Sequence, residues 1–173
     1  MTTSIRRRAF GKTPDGARVD LFVLGGPGGA EASILTYGAA LQALLAPGRD
    51  GQRANVCLGF ETLAGYVENT GHYFGATIGR YANRIAGARF ALDDIVHEVD
   101  RNDGKNCLHD GARGFDTRVW NVVEAAGEML RLAYSSPHGE MGFPGAWTSA
   151  SSTASRTPSS ASTTKPRPPP PPS

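Results

Sequence analysis

Apolar positions in this chain come in short alternating runs, and none keeps a helical period for long. Ser4 to Phe10 alternates weakly and reads as an edge strand. Thr13-Pro14-Asp15-Gly16 follows as a turn, because proline presets φ and glycine accepts a positive one. Val19 to Leu24 is the next strand, with Val19, Leu21 and Val23 on one face. Ala32 to Tyr37 and Leu41 to Ala46 are two more, parted by Gly38 and ended by Pro47-Gly48. Asn55 to Phe60 reads as a short buried strand. Glu61 to Val67 reads as one helical turn carrying Leu63, Tyr66 and Val67. Phe90 to Leu92 and Ile95 to Val99 form a hairpin about Asp93-Asp94, and Val119 to Glu124 pairs with Met129 to Tyr134 through Ala126-Gly127. Short strands at such close intervals predict an all-β fold, a sandwich or a barrel.

The pattern stops after Phe143. No Ile, Val, Leu or Phe follows it, and no acidic residue follows Glu140. Seven of the twelve prolines lie beyond Ala154, five of them consecutive at Pro168 to Pro172, so this tract has little with which to offset its ordering entropy. Residues 1–147 are therefore expected to fold, and residues 148–173 to form a disordered Ser/Thr/Pro-rich tail ending in polyproline II or coil.

Charge and composition narrow the function. A chain of 173 residues fits one domain, and a net charge of +2 without a long basic run excludes an electrostatic nucleic-acid binder. Arg6-Arg7-Arg8 reads as a solvated strand edge. No apolar run approaches the ~20 residues that span a bilayer, and no apolar segment follows the basic N-terminus as in a secretory signal. Gly25 to Gly29 lacks the following Gly-Lys-Ser/Thr of a phosphate cradle and reads as a plain loop. Cys57 and Cys107 are too few for a disulfide framework or a cysteine-built zinc site, which favours a reduced, cytoplasmic setting.

The candidate chemistry lies between Tyr73 and Trp120. Asn83, Arg84, Asn106 and His109 stand there among glycines and aromatics. That mixture suits a neutral carbohydrate: polar groups read hydroxyls, aromatic faces cover the apolar side of the ring, and glycine lets the backbone come close.

Several segments, in order, resemble the aldose 1-epimerase (galactose mutarotase) family. They are Ile34 to Ala39, Cys57-Leu58-Gly59-Phe60-Glu61 with Gly65-Tyr66, and Tyr73 to Ile85, which reads Tyr-Phe-Gly-Ala-Thr-Ile-Gly-Arg-Tyr-Ala-Asn-Arg-Ile. Asn106 to Gly111 with Gly114-Phe115-Asp116 and Val119-Trp120 comes next, then Ser136-Pro137 to Gly145. The resemblance implies the first part of a large antiparallel β-sandwich and an isomerase that interconverts hexose anomers. In that reaction a base takes the anomeric proton, an acid protonates the ring oxygen, and the ring opens and recloses. It needs no metal and no organic cofactor, and its partner is a small sugar. By motif, Asn83, Arg84 and His109 contact the sugar, and His109 is the catalytic candidate. Arg80 is expected to brace its loop, His72 to sit at the rim, His97 to be partly buried and His138 to mark a tolerant turn. Asp116 reads as a turn or capping residue, and Tyr37 and Trp120 as core.

Departures from the family pattern are Cys107 for Ser, Asp110 for Gly, and Asp94 at a hairpin Gly position. Asp110 is expected to need a positive φ and to raise the pKa of His109. The resemblance ends just after Gly145, where codons permitted by the residues from Ala146 to Lys165 can also be read in another frame as an alternating strand. The family's second His, its Asp and its base Glu have no counterpart here. The chain is therefore expected to be a truncated epimerase without measurable mutarotation, with Met129 to Tyr134 as a raw strand edge. A non-catalytic sugar-binding sandwich and a non-functional fragment are the alternatives.

Overall fold

The computed structural model describes residues 5–26 and 28–154. Five antiparallel strands form one sheet in chain order: β1 (Arg6–Lys12), β2 (Arg18–Gly25), β3 (Glu31–Leu35), β4 (Leu41–Pro47) and β5 (Arg53–Asn55). A six-residue helix, α1 (Leu63–Glu68), follows, with the Thr62 side chain accepting from the Gly65 N–H at its start. Two small antiparallel ladders come next, β6 (Arg84–Ile85) with β9 (Cys107–Leu108), and β7 (Arg89–Leu92) with β8 (Ile95–Glu98). A second sheet is built from β10 (Asn121–Ala126), β11 (Met129–Ser136) and β12 (Trp147–Ala154). The fold is the all-β sandwich that the strand pattern predicts.

Strand β2 explains the layering. Val19 and Leu21 belong to one buried cluster with Leu35, Tyr37, Leu63 and Tyr66, which α1 helps to cover. Phe22 and Leu24, on the opposite face, join Ile34, Phe115, Trp120, Leu130 and Leu132. The second cluster is the interior of the sandwich, because Leu130 and Leu132 come from β11. Alternation puts Val19, Leu21 and Val23 on one face, and β2 is covered on both faces. The two sheets are joined at Trp120, whose N–H donates to the Thr36 carbonyl (2.7 Å), and at Gly38, whose N–H donates to the Arg118 carbonyl (2.7 Å). Gly38 has φ +64°, and a Cβ there would lie 2.5 Å from the Asp116 carbonyl oxygen, so only glycine fits this crossing.

The β7–β8 hairpin forms as the sequence predicts. Leu92 faces Ile95, and Asp93 and Asp94 both take positive φ (49° and 62°), the mirror-image turn that suits strand twist. β1 is the expected exposed edge, although Arg6 pairs with Glu31 and Arg7 with Asp20.

Two expectations fail. Asn55 to Phe60 is not a buried strand; Val56 and Leu58 are 63% and 72% exposed. The Asn55 Oδ1 accepts from both the Leu44 and Cys57 N–H groups, so a side chain takes a ladder position and the backbone leaves β4. Nor does order end at residue 147. Trp147–Ala154 pairs in unbroken antiparallel register with β11, from Ser136↔Trp147 to Met129↔Ala154, and covers the edge expected to be raw. Strand pairing uses backbone groups that Ser, Thr and Ala also possess, so poor apolar content did not prevent it. The polyproline II expectation for Pro168 to Pro172 lies outside the described residues.

Candidate functional site

The two-residue ladder β6–β9 builds the site. Arg84 faces Leu108 and Ile85 faces Cys107, which sets Asn83 beside His109 at the open end. There the two residues close a reciprocal pair: the His109 N–H donates to the Asn83 carbonyl (3.0 Å), and the Asn83 N–H donates to the His109 Nδ1 (2.9 Å). Both residues take left-handed backbone, with φ 69° at Asn83 and 52° at His109. Such strained positions gather at functional sites. Asn102 fixes the approach, since its carboxamide bonds both the N–H and the carbonyl of Leu108 (2.7 and 2.8 Å).

This geometry sets the state of the imidazole. Nδ1 accepts, so in the neutral ring the proton sits on Nε2. Burial, helped by the Arg84 charge, lowers the His109 pKa below its ordinary value, which keeps the ring neutral at pH 7. The expected upward pull from Asp110 is thus corrected. Asp110 takes the positive φ anticipated for it (76°), but its buried Oδ1 accepts from the Tyr81 N–H at 3.3 Å and serves the loop. The Tyr73 ring and the imidazole pack in a T-shaped arrangement, with centroids 4.7 Å apart.

Arg84 is exposed, and its Nε donates to Asp103 at 2.7 Å. Asp103 carries no motif signal, and only the fold reveals it as the residue orienting this guanidinium. Asn83 and Arg84 lie close, Nη1 to Oδ1 at 3.5 Å, so exposed Asn83 and Arg84 and half-buried His109 form one cluster of mostly donor groups. Asn106, grouped with them by sequence, turns away, and its Oδ1 accepts from the Gly87 N–H at 3.1 Å.

Arg80 braces its loop as expected. Its guanidinium donates to the Ser136 hydroxyl and to the carbonyls of Ser136, Pro137, Pro144 and Gly145. Ser136 and Tyr134 both donate to Glu140, which also pairs with Arg118 at 2.7 Å. Glu140 is thus the acceptor at the centre of this clamp. His72 packs on Phe60 and Phe74, His97 on Phe90, and the His138 Nδ1 accepts from the Gly145 N–H. Among the described residues, no three His, Cys, Asp or Glu side chains converge as a metal site would require.

Asp116 is more than a capping residue. It is buried, its Oδ1 has no partner among the described residues, and burial pushes its carboxyl up to about 6. The nearby charged and titratable groups are Arg118, Asp110, Tyr37 and Tyr73. A folded-state pKa above the unfolded value means that the native state holds the proton more tightly. Stability from this group is then present below about pH 4 and is lost as pH rises through about 6, by about 3 kcal/mol in all. Asp116→Asn should flatten that fall. Urea unfolding at pH 4.5 and 7 reads it; an unchanged slope between the two pH values would show Asp116 ionised at little cost.

Comparison with known proteins adds to this geometry. A family model described as aldose 1-epimerase matches residues 20–152. Galactose mutarotase of Bos taurus is 39% identical over 145 residues, covering 82% of this chain and 41% of that protein. Aldose 1-epimerase of Escherichia coli K12 is 36% identical over 132 residues, covering 76% and 38%. The crystal structure of the aldose epimerase homologue from C. elegans superposes with a TM-score of 0.73 at 28% identity, over 78% of this chain and 41% of that one. Galactose 1-epimerase from Lactobacillus acidophilus gives the same score at 24% identity, over 87% and 44%, which speaks for the fold alone. The chain spans about two-fifths of the length of these relatives.

Proposed function

The chain belongs to the aldose 1-epimerase family, and from that premise we propose that Asn83, Arg84 and His109 form the sugar-gripping part of an epimerase site. The observation that carries this is the β6–β9 ladder, which brings the three residues together and fixes the proton of a neutral imidazole on Nε2. The Nε2–H donates to a ring or hydroxyl oxygen. The Arg84 guanidinium, held by Asp103 through one edge, donates to a second oxygen and favours negative charge there. The Asn83 carboxamide orients a neighbouring hydroxyl. Tyr73 limits movement of the imidazole. The names of the mammalian relatives point to galactose as the ligand, and the two free cysteines fit a reducing, cytoplasmic setting.

Anomer exchange also needs a base for the anomeric proton. His109 with Nδ1 occupied and Arg84 can only donate. Asp103 is engaged by Arg84, and Asp110, only 1% exposed, is shut away from a sugar at the surface. We therefore propose that the 173-residue chain binds a hexose weakly but does not interconvert its anomers. Polarimetry on freshly dissolved α-D-galactose tests this. The decay of rotation should match buffer alone, and a protein-dependent acceleration would reveal a base that this account lacks.

A further inference from the structure

Edges decide where a sheet can grow. The two larger sheets end in β1 and β5, and in β10 and β12. Three of these edges carry features that resist further pairing. β1 bears three consecutive arginines and a register shift between Ala9 and Gly11. β5 is three residues long and holds Arg53. β10 carries Glu124 and a shift between Val122 and Glu124. β12 has none of these. It runs eight residues in unbroken register with β11 and contains no charged residue, proline or glycine. No strand pairs with its outer side among the described residues. Alternate backbone N–H and C=O groups of such a strand point away from β11 and lack a ladder partner. Trp147, at its start, is 59% exposed and offers apolar surface beside them.

We propose that β12 is a self-association edge: a second copy of this chain adds its own β12 antiparallel, and the two three-stranded sheets join into one. The composition of the strand selects that occupant. A two-fold axis sets each residue opposite one from the same strand, so a charged edge opposes itself, as β1 would with its arginines. Trp-Thr-Ser-Ala-Ser-Ser-Thr-Ala meets no like charge. Its hydroxyls can also pair across the new seam, as Ser135 and Thr148 do at 3.1 Å between β11 and β12. One strand a side makes a small interface, so the dimer is weak and depends on concentration.

Sedimentation equilibrium of the whole chain tests this. The weight-average mass should rise from 18.2 kDa toward twice that value between micromolar and millimolar concentration. Ala150→Lys, at an exposed position near the middle of the strand, sets like charges across the two-fold axis. It should remain a monomer where the parent dimerises, and so should Ala150→Glu; an equimolar mixture of the two should recover the dimer. Ser152→Lys, exposed on the same face, replaces Ala150→Lys if that variant does not fold. A parent that stays monomeric throughout, as it would if the chain beyond residue 154 occupied this edge, would overturn the proposal. So would association that the charged variants leave unchanged, which would place the contact elsewhere, or a mixture that fails to recover the dimer.

Discussion

Trp120→Ala is expected to lower the free energy of unfolding by about 3–5 kcal/mol, or to prevent folding. The indole is 2% exposed and packs edge-on against Phe115 at 5.7 Å. Its Nε1–H donates to the Phe115 carbonyl at 3.2 Å, and its own backbone N–H ties the segment to Thr36. Alanine would leave a cavity between β2 and β11 and remove one of the two donors to the Phe115 carbonyl, leaving the Arg118 N–H. Thermal melts followed by circular dichroism measure the loss, which should be roughly 10 °C or more for a domain of this size. A loss below about 1 kcal/mol would mean that the two sheets do not depend on this ring.

The second large effect concerns rate. The relatives extend well beyond the region that this chain matches. In a hybrid that joins this chain to the remainder of the Escherichia coli enzyme, His109→Ala and Arg84→Ala should each reduce mutarotation about 10²–10³-fold. That is the usual cost of one preorganised transition-state donor. Asn83→Ala should act mainly on KM if its carboxamide only orients the sugar. Rates within a few-fold of the parent hybrid would place His109 and Arg84 in purely structural roles.

Much of this molecule was legible in its sequence because the signals were local. The paired aspartates of the β7–β8 turn and the glycine at position 38 each answer a backbone demand that the residue type discloses. The grouping of Asn83, Arg84 and His109 was legible through family motifs, and the ladder between β6 and β9 is the reason those motifs lie together. Long-range partners were not legible. Nothing near Arg84 marks Asp103 as its counter-ion, and nothing near Glu140 marks Arg118, Tyr134 and Ser136 as its donors. The direction of the His109 shift was misjudged for the same reason. Adjacency along the chain suggested Asp110, whereas burial and a charge brought in by pairing decide it. The strand Trp147–Ala154 escaped notice because its pairing rests on backbone groups and a waiting neighbour, not on side-chain pattern.

The central claim is that this chain carries a sugar-gripping cluster at Asn83, Arg84 and His109. Titration of ¹⁵N-labelled protein with galactose, followed by amide chemical shifts, tests it most directly. The expected result is saturable displacement centred on Asn83, Arg84, His109 and Tyr73, much reduced in His109→Ala while the rest of the spectrum is preserved. Displacement centred elsewhere, or none at concentrations that fill a millimolar site, would contradict it.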